Sequence, residues 1–489
     1  MLRFLGLVLA AIGMAGVAVA LQARQTVDVL IRNGRVLDGT GNPWLRTDIA
    51  VAGDRIVAIG NLSDRAAART IDAADRVVAP GFIDVHSHAA EGLGRLALRQ
   101  GQPLLAQGVT TIVANPDGGG PVDLAAQRAR LESGAIAPNV ALLIGHGSVR
   151  RAVMGNANRA PTADELERMR GLVRRGMHDG AYGLSSGLFY TPGSYATTEE
   201  VIALAKAAAE LGGVYTSHIR DEADYTIGVL ASVREVIRIA DEARTIGVVS
   251  HMKALGPENW GLAADAVALI DEARGRGVQI FADQYPYEAS STSLRAALLP
   301  GGAELTEAVV RENLKRRGGP DAIQIAFYRQ DRSLEGRTLA AIAAARRASP
   351  EETAMELMGR GNPSIVSFNM SEGDLRHIMR QSYTMASSDG GLLLPSEGKP
   401  HPRDYGAFAR RLGVYVRERQ VVSLEFAVRS MTSLPAAVFG LKDRGMIREG
   451  TLADLVIFDP ERIRDTATYS DPHHLAEGVS HVLVNGVLV

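Results

Sequence analysis

The stretch Phe82-Ile83-Asp84-Val85-His86-Ser87-His88 is a short apolar run closed by two histidines one residue apart. Bounded by Pro80-Gly81, such a run reads as a strand buried on both faces. Alternate side chains of a strand share a face, so His86 and His88 point the same way from its C-terminal end. The same pattern recurs downstream, with strand candidates at 109–113, 140–144, 181–184, 213–216, 246–249, 278–281 and 383–386. Helical periodicity separates many of them, as in the segment opening at Thr198-Glu199-Glu200 and those near 225–244 and 260–274. Eight strand–helix repeats in order predict an α/β chain with a (β/α)8 TIM-like barrel over 81–440. The interval between the seventh and eighth strands is too long for one unit, which predicts an inserted subdomain near 294–365.

Outside the barrel the sequence changes character. Residues 24–80 and 441–489 carry short strands such as Val27-Asp28-Val29-Leu30-Ile31 and Leu455-Val456-Ile457-Phe458, punctuated by Asn33-Gly34, Asp38-Gly39 and Asn485-Gly486. Two β-rich ends flanking a different middle predict one small β-sandwich built from both chain ends. Ahead of it, residues 4–21 form an uncharged apolar run after Arg3, with Ala18-Val19-Ala20 as a small-x-small cleavage pattern. This reads as a signal peptide over 1–20; the alternative is an uncleaved single-helix anchor. Either reading predicts a secreted or periplasmic protein.

Composition narrows the chemistry. Among 489 residues, Lys+Arg number 53 and Asp+Glu 55, a net charge of −2, which provides no global positive field for nucleic acid or an anionic membrane. Cysteine is absent, which excludes disulfides, Cys-based zinc fingers, iron–sulfur clusters and thiol nucleophiles. A metal site must therefore use histidines and carboxylates. Such residues stand at the strand ends: His86 and His88 on the first, His218 on the fifth, His251 on the sixth and Asp389 on the eighth. In a parallel barrel these ends meet at one mouth, so four imidazoles and a carboxylate converge there as ligands for a divalent cation, zinc first. Any one of these histidines alone would read as an ordinary satisfied polar group; the common placement carries the metal reading. Zinc polarises a carbonyl and acidifies water to a pKa of about 7. With Asp389 beside it to carry a proton, the expected reaction is hydrolysis of an amide-like bond.

The ordered set Phe82-Ile83-Asp84-Val85-His86-Ser87-His88, His218, His251 and Asp389 resembles the amidohydrolase superfamily. Closer motifs resemble its D-aminoacylase (N-acyl-D-amino-acid deacylase) family. They are Gly183-Leu184-Ser185-Ser186-Gly187-Leu188 with Tyr190, Ser217-His218-Ile219-Arg220-Asp221-Glu222, and Ser250-His251-Met252-Lys253. Asp283-Gln284-Tyr285-Pro286-Tyr287 with Ser290-Ser291-Thr292, and Ser388-Asp389-Gly390 with Pro400-His401-Pro402-Arg403, complete them. The resemblance implies a metal-dependent enzyme that cleaves an N-acyl-D-amino acid into a carboxylate and a D-amino acid. It implies that His218 and His251 hold the tighter metal, that His86, His88 and Asp389 surround a second position, and that Asp389 is the general base. It further implies substrate contacts from Lys253, Tyr190, Tyr285, Ser291 and Arg403. A guanidinium fork suits a substrate α-carboxylate. The alternative reading of Lys253 is half of a buried ion pair, and that of Arg403 a loop arginine.

One position departs from the family, whose bridging ligand is a Cys at the end of the second strand. Here that strand continues as Ala114-Asn115-Pro116-Asp117-Gly118, and counting from Thr110-Thr111 places Asp117 where the Cys would stand. A carboxylate binds or bridges zinc, so Asp117 is the expected replacement; its other reading is an Asx-turn residue. The exchange hardens the site, consistent with one or two Zn²⁺ ions or with Mn²⁺. The segment 180–188 has no lysine, which argues against the branch that bridges its metals with a carboxylated lysine. His146, ending the third strand, is expected near the site rather than as a ligand. His178 is expected on the surface, and His377, His473, His474 and His481 receive no role. The glycines Gly118-Gly119-Gly120 lack phosphate-loop context. The competing functions are a hydrolase of cyclic amides or dipeptides on the same scaffold and a non-catalytic secreted binding protein. The expected partner is a small N-acyl amino acid, with no stable membrane partner unless the N-terminal segment is uncleaved.

Overall fold

The computed structural model describes residues 26–489, so the expected signal segment lies outside them. The chain opens with β1 (Val27–Val36), β2 (Leu45–Ala52), β3 (Arg55–Gly60), β4 (Ala67–Asp72) and β5 (Val77–Pro80). Strand β1 is shared: residues 27–32 pair in parallel with β4, and Arg35 and Val36 pair with Val77 and Val78 of β5. Leu30, Ile31, Ile49, Val51 and Ile56 lose all or nearly all contact with water in the process, each burial contributing about 1.5–3 kcal/mol.

The barrel follows. Its strands are β6 (Phe82–Ser87), β7 (Val109–Ala114), β8 (Asn139–Leu142) with β9 (Ile144–Gly145), β10 (Gly183–Gly187), β11 (Val214–His218), β12 (Gly247–Val249) and β13 (Ile280–Gln284). The chain then leaves the barrel for β14 (Ser290–Ser293), β15 (Ile323–Phe327) and β16 (Ser364–Ser367), and returns as β17 (Thr384–Ala386). Barrel neighbours pair in parallel from β6 to β8 and from β9 to β13 and β17. The third strand breaks at Leu143, whose N–H donates to the Ala114 carbonyl (3.1 Å) as the ladder passes from β8 to β9. The ring closes at a narrow seam between β6 and β17, through a Ser87–Gly390 bridge and the bonds Asp389 N–H to His86 O (2.9 Å) and His88 N–H to Gly390 O (2.8 Å). Every residue of β6, β7, β10 and β11 is buried, which explains strands that are not alternating in polarity.

Two expectations are corrected in position. The fourth strand is Gly183–Gly187 rather than 181–184. Its core is polar, because Ser185 donates to Asn115 O (2.6 Å) and Ser186 bonds the Tyr215 hydroxyl (2.7 Å), so hydrophobicity alone ends the strand too early. The insert is built on an antiparallel sheet, β14–β16–β15. Its flanking strands extend it to Ser290 and Ser367, beyond the expected 294–365. The C-terminal β18 (Leu455–Phe458), β19 (Val479–Val484) and β20 (Val487–Leu488) rejoin the first sheet through β18–β5, so both chain ends share one branched sheet. Phe458 there packs edge-on to Phe82 at the foot of β6 (6.1 Å). Among the described residues, no helix is long and apolar enough to cross a membrane.

Candidate metal centre

The strand ends converge as the spacing predicts. His86, His88, Asp117 and Asp389 bring one donor atom each within 4.8 Å of one another, and Asp117, His218 and His251 do likewise. Asp117 belongs to both groups. Its Oδ1 lies 3.3 Å from His86 Nε2, 3.7 Å from His218 Nδ1 and 3.5 Å from His251 Nε2, while Oδ2 lies 3.4 Å from His88 Nε2. Asp389 Oδ1 lies 3.6 Å from His86 Nε2 and 3.2 Å from His88 Nε2.

The donors fit a cation. His86 Nε2 and Asp117 Oδ1 are buried without a hydrogen-bond partner, a costly state unless a ligand satisfies them. Burial works against the Asp117 charge, but the His86, His251 and His88 imidazoles around it hold its carboxyl well below the usual range. Asp389 is likewise desolvated, yet Arg403, His251 and His88 hold it well below that range. Burial pushes the His218 imidazole down to about 4, whereas the carboxylates around them hold His88 up at about 10 and His251 at about 9, so a cation binding there displaces protons from both. The set is therefore two carboxylates and four imidazoles, all nitrogen and oxygen donors suited to zinc.

Around it opens a cavity of about 900 Å³ that all five expected substrate contacts line. Arg403 is buried, pairs with Asp389 Oδ2 through Nη1 (2.7 Å) and stacks on the Tyr285 ring (4.7 Å). Its Nε has no partner, so the fork retains a donor. Lys253 Nζ donates to Glu222 Oε1 (2.5 Å) and lies 2.7 Å from His251 Nδ1. The Tyr190 ring lies 4.7 Å from that of His218, and its hydroxyl is 3.3 Å from Thr292 Oγ1. Tyr285 directs its hydroxyl at the Met370 sulfur (3.4 Å), and Ser291 donates to Ile365 O (2.9 Å) at the edge of the insert.

Sequence reasoning assigned nothing to Glu222, although it stands four residues after His218. Its carboxylate meets Lys253 and His251 Nδ1 (3.1 Å) and, despite burial, is held well below its ordinary range by the Lys253 charge. His401 was likewise overlooked between two prolines. It accepts from Arg403 N–H at Nδ1 (3.0 Å) and is 3.0 Å from Ala289 O at Nε2, and burial keeps it neutral. His146 lies outside both donor groups, buried against Glu200 (2.9 Å), and His178 is exposed.

A parallel barrel whose mouth gathers histidines and carboxylates beside a substrate-sized cavity defines a metal-dependent hydrolase fold. The model of the amidohydrolase family matches residues 69–489. The chain is 37% identical to a D-aminoacylase of Alcaligenes xylosoxydans xylosoxydans, over 95% of both chains. It is also 37% identical to an N-acyl-D-glutamate deacylase of the same organism, over 95% of this chain and 94% of the relative. The crystal structure of N-acyl-D-glutamate deacylase from Bordetella bronchiseptica, complexed with zinc and a phosphonate mimic of the tetrahedral intermediate, superposes with a TM-score of 0.86. That comparison covers 95% of this chain and 96% of the other at 36% identity. The chain belongs to the amidohydrolase family, in its D-aminoacylase branch.

Proposed function

We propose that this protein is a zinc-dependent hydrolase of N-acyl-D-amino acids that releases a carboxylate and a free D-amino acid. The observation that carries the reading is the position of Asp117, common to both donor groups at the floor of a cavity that also presents Arg403 and Lys253. Deacylase relatives aligned over nearly the whole chain support the same substrate class.

His218, His251 and Asp117 would hold one ion, and His86, His88, Asp389 and Asp117 would surround a second position. When bound, the metal supplies Lewis acidity toward the amide carbonyl and lowers the pKa of water. Asp389 Oδ1 accepts the proton of the attacking water and delivers it to the departing nitrogen. Arg403 holds Asp389 through Oδ2, keeps Oδ1 facing the histidines, and offers its remaining donors to the substrate α-carboxylate. Lys253 orients the same end of the substrate, held in place by Glu222. Tyr190, Tyr285 and the strand carrying Ser291 wall the cavity against water. The segment 1–20 directs export, and cleavage after Ala20 is read from the mass of the protein recovered outside the cytoplasm.

The test is a substrate panel with and without chelator. Stoichiometric release of acid and D-amino acid from N-acetyl-D-amino acids, lost on chelation and restored by zinc, is the expected result. Turnover of hydantoins or dipeptides in preference to N-acetyl-D-amino acids would overturn it.

A further inference from the structure

Three of the six metal-site side chains sit on backbone that L-residues seldom adopt. Asp117 has φ 57°, His251 φ 35° and Asp389 φ 50°, all in the left-handed region. Such conformations persist only where the surroundings impose them, and they cluster at functional sites. In each case a buried polar side chain on another barrel strand grips the backbone at or beside the strained residue.

For His251, its own N–H donates to Asp283 Oδ1 on β13 (2.9 Å). Beside Asp389, the N–H of Ser388 donates to Asp84 Oδ1 on β6 (2.8 Å), and its hydroxyl donates to Oδ2 of the same carboxylate (2.5 Å). Around Asp117, the Ser185 hydroxyl on β10 donates to Asn115 O (2.6 Å) and accepts from Gly118 N–H (3.2 Å), bracketing the residue on both sides. Asp84, Ser185 and Asp283 are at most 1% exposed, and none of the three lines the cavity. They line no substrate space and bond no imidazole nitrogen; apart from the Ser388 hydroxyl, their hydrogen bonds act on main chain.

We propose that Asp283, Asp84 and Ser185 are positioning residues, a set of strand-to-strand backbone clamps that hold His251, Asp389 and Asp117 in left-handed conformation and so aim their side chains at the metal. A strand-end residue that relaxed to β geometry would rotate its side chain away from the shared point, because successive side chains of a strand face opposite ways. The Asp283 and Asp84 clamps each span two adjacent strands and the Ser185 clamp reaches across the third strand from β10 to the end of β7, so the donor geometry is set by the packing of the barrel itself. This inference rests on the metal reading above.

The experiment is zinc affinity of the metal-free full-length protein, measured by competition with a colorimetric chelator. Wild type is measured first, because failure to bind zinc there would overturn the metal reading itself. Asp283→Ala is expected to bind zinc about 10–100-fold more weakly. Asp283→Asn should stay within about threefold of wild type, since its amide oxygen accepts the same N–H. Ser185→Ala removes one hydroxyl, is the variant that decides should Asp283→Ala fail to fold, and is expected to weaken zinc about tenfold. In turnover, the same variants should lower kcat with KM little changed, because the cavity wall is intact. Wild-type zinc affinity in Asp283→Ala or Ser185→Ala, or an Asp283→Asn as weak as Asp283→Ala, would overturn the clamp.

Discussion

Asp117 shows how much chemistry one side chain redirects. A carboxylate offers two oxygens, and here Oδ1 faces three imidazoles while Oδ2 faces a fourth. Removing it leaves those nitrogens without a common anion, so Asp117→Ala should lose metal stoichiometrically as well as activity; unchanged metal content on elemental analysis would end its ligand role. Asp389 is separable from it by chemistry. Asp389→Asn keeps an oxygen for the site but cannot carry a proton, so we expect folded, metal-loaded protein with turnover reduced ~10²–10⁴-fold. Near-wild-type kcat in that variant would remove the base assignment.

Asp404 bears on stability instead. Burial raises its carboxyl to about 7, only partly offset by Arg403 and the Gly391 N–H. Its folded-state pKa therefore exceeds the unfolded value, and between about pH 4 and 7 the folded protein binds the extra proton. Stability from this group is full below that window and falls as pH rises through it, by on the order of 1.4 kcal/mol per pH unit. Asp404→Asn should flatten that decline in urea titrations across the window; an unchanged slope would contradict the assignment.

At the scale of elements, what was legible followed from burial. Strands such as β6 and β7 are buried throughout and carry Phe82, Ile83 and Val85 or Val109, Ile112 and Val113, and their positions could be read directly. Strand β10 could not, because its buried residues are serines satisfied by neighbouring strands rather than by hydrophobic contact. Five of the six donors were legible because strand ends in a parallel barrel share a mouth; Asp117, three residues beyond the end of β7, was reached only through the resemblance, by counting to the position of the family's Cys. Glu222 and His401 were not, because their roles depend on loops folding back, which no periodicity encodes. The same holds for Glu200. It stands in the first turn of the helix Thr198–Ala209, where an acid reads as a dipole partner, yet it is 2% exposed and bonds His146 (2.9 Å) with Arg150 nearby (3.5 Å). Arg150 in turn donates to Pro192 O (3.1 Å), fixing the loop that carries Tyr190. Glu200→Gln leaves that guanidinium without its counter-charge, so it should cost about 3–5 kcal/mol in denaturant unfolding. Because the loop is loosened, KM should also rise; a loss under 1 kcal/mol would show that the cluster is not coupled to the fold.

For the whole molecule, the metal and the barrel are linked by where the ring closes. The donors come from the ends of β6, β7, β11, β12 and β17, and the β6–β17 seam between two of them rests on one bridge, a pair of backbone bonds and the two bonds from Ser388 to Asp84. A cation held jointly by His86, His88 and Asp389 would tie that seam across the mouth. Metal that binds only the folded state stabilises it by about 2.7 kcal/mol at a hundredfold excess over Kd. Zinc should therefore raise the unfolding midpoint in a concentration-dependent way, and chelation should lower it. The effect should also be local: amide exchange at 387–390 should quicken on metal removal far more than in β10, whose serines and ladder hold it independently of the site. A midpoint indifferent to zinc would mean that the fold closes its ring without the metal, and exchange that quickens equally along all barrel strands would mean that the metal does not act through the seam.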